Sequence, residues 1–424
     1  MAHAAQESAT EAAAAGRPEP VLDELDYLLI TALQTSPRAE WQQIGKVLGV
    51  DASTAARRWN RLTEAGHAWL SCYTVAVGPA VPIVAFIEVD CAAGALHDVA
   101  VEIADDPHLI TVDHVTGSRD LILTAAFPDQ AALARYVGFR LDTLPGVAAT
   151  RSQIATAVHA EGSRWRLDRL DPDGRSELTR GRPHPAPRRG LPSPDELDTR
   201  LCMLLAEDCR QPAARLAERT GVSASTVRRR LERMHREDAL VYRCEVARYL
   251  SGWPVSVTMW GIAPPGETAR IASQLIGLRE MRLCASLSGP YNLLLTVWLR
   301  SAEDIATFEA RLGARFPELA IADRAVTLWP LKLAGQILDP KGRHLRGVPV
   351  RFWEDPVAER AEGDLLERLR SGPGGPFSRP RGPSSPSGAP SSASGAPSSP
   401  SGAPSSPSGA PSSPSGAPSS PSGV

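Results

Sequence analysis

The chain has 424 residues and a formal net charge of −2, with 46 Lys+Arg against 48 Asp+Glu. That balance excludes a global polycation, so attraction to nucleic acid must come from local clusters. Only Lys46, Lys332 and Lys341 are lysines; with abundant Ala, Pro and Gly this looks like the bias of a GC-rich bacterial genome, and arginine content alone carries little weight. The six cysteines form no CxxC pair and suggest no disulfide framework, which implies reduced thiols, no metal site and a cytoplasmic location. No stretch reaches the roughly 18 apolar residues of a membrane span, and the start lacks the basic-then-apolar pattern of a secretion signal.

Residues 1–20, rich in alanine, are expected to be disordered. From Asp23 to Cys72 an apolar-periodic stretch (Leu25, Leu28, Leu29, Leu33) predicts one helix, and Trp41, Ile44, Val47 and Leu48 predict a second that stops at Gly49. Ser53 follows where an N-cap belongs, and a third helix places Ala55, Trp59 and Leu62 on one side. Thr54, Arg57, Arg58 and Arg61 fall on the other. This is a helix-turn-helix whose last helix can pack by one face and offer guanidinium groups to phosphates and guanine edges by the other.

Strands then read at Trp69–Val77, as a wing or linker, and at Pro82–Val89; a helix follows at Ala95–Ala104 and strands at Leu109–Val115 and Leu121–Phe127. A helix at Gln130–Leu144 and a strand at Val147–Val158 complete a β-α-β-β-α-β order, the ferredoxin-like arrangement. Residues 160–192 read as a proline-extended tether; about 35 flexible residues span about 33 Å r.m.s., enough for intramolecular pairing.

The whole pattern then recurs at a fixed offset of 172, without a gap. Asp195–Cys244 matches Asp23–Cys72 at 16 of 50 positions, including both Asp-Glu-Leu-Asp starts. The second polar face carries Ser225, Thr226, Arg228, Arg229, Arg230 and Arg233, with Glu232 as the one acid from 222 to 236, so this copy is expected to bind phosphate more strongly. Strands and helices follow at Val255–Ile262, Thr268–Ile276, Met281–Leu287, Leu293–Leu299, Glu303–Arg315 and Leu319–Leu328. The fold class is α+β: helix-turn-helix (winged-helix-like) units at 21–78 and 193–250, each followed by a ferredoxin-like unit, at 79–159 and 251–333. Residues 334–371 form an extension with a possible amphipathic helix at Asp355–Arg370, and the Ser-Pro-Gly-Ala repeats of 372–424 are expected to be disordered.

Thr116-Gly-Ser-Arg-Asp120 and Ser288-Gly-Pro-Tyr-Asn292 join the central strands, with a glycine in each that fits a positive-φ turn. With the Gly-Val-Ser-Ala-Ser-Thr-Val-Arg-Arg-Arg run from Gly221 and the Leu-Asp starts, these turns make the chain resemble the leucine-responsive and asparagine-operon (Lrp/AsnC) regulators over residues 22–158 and 194–333. The resemblance implies a DNA-binding transcriptional regulator without a cofactor or catalytic residues. Its partners would be double-stranded DNA and a small effector such as an amino acid. Assembly would be an intramolecular pseudo-dimer, with homo-oligomerisation above it. It also implies an effector site near the turns, at Gly117 and Asp120, at Gly289 and, less well, at Asn292. Two alternatives stay open: a tetrapyrrole decarboxylase of the same architecture, with His114 and Arg119 as candidate pocket residues, and a ligand-binding scaffold that has lost DNA binding.

Overall fold

The computed structural model describes residues 22–74, 82–180, 195–237 and 239–354, with 363, 365–367 and 369–370. The segments expected to be disordered at 1–20 and 372–424 lie outside these residues, as do Val75–Val77 of the linker strand and most of the Asp355–Arg370 helix. Gly363, Leu365, Leu366, Glu367, Leu369 and Arg370 are helical and exposed.

In the first copy α1 (Glu24–Thr35), α2 (Trp41–Leu48) and α3 (Ala52–Glu64) form the helix-turn-helix. A capping box starts α1: Asp23 accepts the Asp26 N–H, and the Asp26 carboxylate accepts the Asp23 N–H. Gly49 ends α2 at φ 69°, and its counterpart Gly221 adopts φ 75°, so both turns use the left-handed region that glycine tolerates. Ser53 is not the N-cap. Asp51 holds that position without a side-chain bond, leaving Ser53 in the first helical turn.

After β1 (Ala68–Thr74), the first α+β unit runs β2 (Ile83–Cys91), α4 (Leu96–Ala104), β3 (Leu109–Val115), β4 (Leu121–Phe127), α5 (Gln130–Arg135, extended by a π-helical turn at Tyr136–Leu141) and β5 (Val147–Ala160). The second copy repeats this with α7 (Glu196–Glu207), α8 (Ala213–Thr220), α9 (Ala224–Arg236), β6 (Leu240–Val246), β7 (Val255–Ile262), α10 (Thr268–Leu275), β8 (Met281–Leu287), β9 (Leu293–Leu299), α11 (Asp304–Arg315) and β10 (Ala320–Leu333).

The last strand of each copy is 14 residues long, too long for its own sheet. The first half of β5 pairs with β2 up to Ile154, and from Ala155 onward it pairs with β8 of the second copy. Likewise β10 pairs with β7 up to Val326, then from Thr327 with β3 of the first. The two sheets therefore close on each other, and each covers an edge of its partner. One face of each sheet packs on its own helices through Ile87, Leu123 and Phe127, or Met259, Leu295 and Phe308. The other faces look at each other.

Three expectations change. The strand after each helix-turn-helix is not a wing: β1 pairs antiparallel with β6, making one ribbon shared by the copies. Repeat partners Ser71 and Arg243 lie opposite each other in that ribbon and so mark the pseudo-twofold axis. The segment expected as a tether from 160 is an ordered strap through residue 180. Trp165, Leu167, Leu170 and Leu178 are buried with the first helix-turn-helix, and α6 (Pro172–Thr179) lies against α1 and α2. Four apolar anchors in 14 residues were enough core to repay ordering. Finally, β11 (Gln336–Leu338) and β12 (His344–Gly347) extend the sheet beyond β10, and Val350 and Phe352 pack on Ala126.

Candidate nucleic-acid interface and effector site

The third helix of each helix-turn-helix buries Ala55, Trp59 and Leu62, or Val227 and Met234. Its polar face divides into two sets. Arg58 donates to Asp23 (2.6 Å) and Asp26 (2.9 Å), and Arg61 to Asp26 (2.5 Å). Arg230 reaches Asp195 and Asp198, and Arg233 reaches Asp198 in the same way. Asp26 is 1 % exposed and Asp198 fully buried. These acids are held by two arginines each because an unpaired buried carboxylate would be costly. The four arginines thus clamp the third helix to the start of the first. Arg57, Arg228, Arg229 and, on the last turn of α9, Arg236 are the others: exposed, and among the described residues facing no carboxylate. Ser223 caps α9 by accepting the Thr226 N–H at 3.1 Å, which leaves Ser225 and Thr226 on the first turn, as Ser53 and Thr54 are on α3.

A reciprocal exchange fixes the two helix-turn-helix units to each other. Arg38 donates to the carbonyls of Cys209 and Gln211 (3.0 Å for the latter), and Arg210 donates to those of Pro37 (2.6 Å) and Ala39 (2.7 Å). Arg38 and Arg210 are themselves repeat partners at offset 172. Identity in both copies was the available signal, as it was for Asp26 and Asp198.

At the turns the copies agree in backbone and differ in side chains. Thr116 N–H donates to the Val326 carbonyl and Ser288 N–H to that of Ile154, so each turn is pinned to the other copy's long strand. Gly117 has φ 107°, but Gly289 does not adopt a positive φ; the expected common turn requirement holds in the first copy only. The Asp120 carboxylate accepts the Cys91 N–H at 2.7 Å. Its counterpart Asn292 accepts from the Ala263 N–H at 2.9 Å and donates to the Ala263 carbonyl at 2.6 Å. Both side chains tie down the end of a strand, and the amide adds a bond that a carboxylate cannot make.

Models of known families match this chain three times: the AsnC-type helix-turn-helix domain at residues 22–63 and 195–235, and the Lrp/AsnC ligand binding domain at 84–165. The chain is similar to the HTH-type transcriptional regulator FL11 of Pyrococcus horikoshii, 29 % identical over 143 residues, covering 33 % of this chain and 93 % of that one. An uncharacterized HTH-type transcriptional regulator of the same organism is 28 % identical over 144 residues, covering 33 % and 90 %. The chain thus carries two AsnC-type helix-turn-helix domains and one Lrp/AsnC ligand binding domain. Among solved structures it is similar to AsnC of E. coli (16 % identity, TM-score 0.27, covering 32 % of this chain and 94 % of that one). It is also similar to the siroheme decarboxylase NirDL in co-complex with an iron-uroporphyrin III analogue (13 % identity, TM-score 0.49, covering 82 % and 100 %).

Within this chain, the residues considered for a decarboxylase pocket do not converge. Arg119 points between the sheets, 4.2 Å over the Trp260 ring and ion-paired with Glu88 (3.1 Å) and Asp323. His114 lies on the opposite, helix-facing side of β3, edge-on to His97 at 6.3 Å. Under the shared ribbon sits a second buried charge group. Burial alone would raise the Glu245 carboxyl, but Arg282 (3.0 Å) and Arg243 hold it below its ordinary range. Arg282 also lies 3.9 Å over Trp298 and donates to the Gly162 carbonyl, so this group fastens the strap to the ribbon. No helix among the described residues is long and apolar enough to cross a membrane.

Proposed function

We propose that the chain regulates transcription as an intramolecular pseudo-dimer, presenting α3 and α9 to successive half-sites of one operator about one helical turn apart. The supporting observation is the division of the arginines: clamped ones set the pose of each helix, and Arg57, Arg228 and Arg229 are left facing solvent. Ser53, Thr54, Ser225 and Thr226 would contact phosphates, with Arg58, Arg61, Arg230 and Arg233 acting through positioning. The second helix has three such free arginines, Arg236 included, against one in the first, so the favoured operator is an imperfect palindrome. The regulator responds to an amino acid or related small metabolite, and pseudo-dimers associate further.

The test is a gel shift on genomic sites recovered by immunoprecipitation of the protein. Arg228→Ala with Arg229→Ala should weaken binding by several kcal/mol, taking roughly 1–3 kcal/mol per specific contact. Arg57→Ala should cost about half as much, and footprints should show two unequal half-sites. Undiminished binding in both variants would remove the helices from the interface.

A further inference from the structure

Between the facing sheets, away from the Arg119 end, lies a cavity of about 400 Å³. That is within the roughly 300–1,000 Å³ range of small-molecule sites. It straddles the pseudo-twofold axis, because repeat partners line it from both sides: Val84 and Ser256, Thr124 and Thr296, Ala126 and Trp298. Its charged groups break that symmetry: Glu161, Arg243 and Arg282 line it as one ion-paired group with Glu245, and two further charges stand apart from that group. Asp113 lines the cavity on the inner side of β3, and its counterpart in β8 is Ala285. Arg248 lines it as well, and its counterpart in sequence is Ala76.

Asp113 has no hydrogen-bond or ion-pair partner among the described residues. Arg248 donates one N–H to the Thr327 carbonyl at 3.1 Å and makes no ion pair among them. The two groups feel each other's charge without touching. A carboxylate and a guanidinium left unjoined in one largely apolar cavity form a receptor for a zwitterion. Phe86, Leu283 and Leu333 supply the apolar wall beside them. A two-fold dimer of identical chains would place two Asp113 side chains across the axis, where they would repel. Fusion of two diverged copies permits one unpaired acid and one unpaired base instead.

We infer that this cavity is the effector site, and that it takes an α-amino acid with a large apolar side chain, ammonium on Asp113, carboxylate on Arg248 and side chain between the sheets. This rests on the effector-responsive reading above and relocates the site from the Gly117–Asp120 turn to the axis. Calorimetry on the full chain with L-phenylalanine, L-tryptophan and L-leucine tests it. N-acetyl-L-phenylalanine serves as the probe without an ammonium and L-phenylalaninamide as the one without a carboxylate.

At least one amino acid should bind, and removing either charge from the ligand should weaken binding about tenfold or more, as loss of a partner to a buried charge does. Asp113→Asn and Arg248→Gln should do the same. Ser256→Phe, which fills the cavity at a position where the first copy already carries Val84, should abolish binding with the fold intact by circular dichroism. Asp120→Ala should leave affinity unchanged. Failure of all three amino acids to bind wild type, or binding that persists in both Asp113→Asn and Ser256→Phe, overturns the assignment; loss in Asp120→Ala alone returns the site to the turn. Gel shifts on the same samples keep the two readings apart, since DNA can be retained with no amino acid bound and the reverse.

Discussion

Asp113 shows how a single side chain can set a pH dependence. Burial pushes its carboxyl from 3.8 up to about 7, with the charge of Arg248 only partly offsetting this. A carboxyl whose folded value is raised contributes stability that is fully present below its unfolded value and is lost as pH rises through the folded one. Asparagine carries no such dependence. Asp113→Asn should therefore gain stability relative to wild type as pH rises from about 4 to about 7, with little further change above about 8. Thermal melts across that range check the slope; a constant difference would mean that Asp113 is well solvated. Such residues were hard to read beforehand. In sequence Asp113 is the one acid of a strand that also carries Thr111 and His114, and only the closed pair of sheets brings it into one cavity with Arg248. Asp120 was visible as a turn residue, but its bond to the Cys91 N–H was not, because that partner lies 29 positions away on another strand.

Among elements, periodicity placed every helix and strand of both copies to within a few residues, since alternating or 3.6-periodic burial follows directly from two-layer packing. What periodicity could not assign was the job of each polar residue on a helix. Arg58 and Arg57 are adjacent and chemically identical, yet one grips Asp26 and the other faces water. The clamp predicts a separation of effects. Asp198→Ala removes the shared partner of Arg230 and Arg233 and the reciprocal half of the α7 capping box. Breaking a buried pair costs roughly 3–5 kcal/mol, and the two arginines, being 24 % and 30 % exposed, can partly rehydrate. A loss of about 2–3 kcal/mol in denaturant unfolding is expected. The Arg228→Ala, Arg229→Ala pair should stay within about 0.5 kcal/mol of wild type, as surface changes do. Equal stability losses in the two variants would dissolve the distinction between clamping and reading arginines. The strap was missed for a related reason: its prolines and arginines read as a tether, whereas Trp165 finds its partners in the second copy, edge-on to Trp298 at 4.8 Å and donating to the Arg279 carbonyl at 3.1 Å.

At the scale of the molecule, the duplication offset of 172 was legible, and with it the pairing of like with like. The route of pairing was not. The sequence offers only a tether long enough for pairing, whereas three exchanges join the copies directly: the β1–β6 ribbon, the β5–β8 and β10–β3 strand pairings, and the Arg38–Arg210 reciprocation. Each exchange satisfies backbone donors and acceptors that would otherwise lie open at an edge, so separating the copies would expose unpaired strands as well as apolar surface. Covalent continuity through 181–194 should then matter little once the chain has folded. A protease site inserted in that segment and cut in the native protein should give two bands on a denaturing gel but one particle of unchanged mass by light scattering, still protecting both half-sites. Separation into two species on cutting would mean that the segment, through proximity alone, holds the copies together. Refolding of the cut fragments should in turn be slow and concentration-dependent, because the second half of β5 has no partner strand in its own copy and that of β10 has only the short β11 at its end, so both must find their long partner on the other.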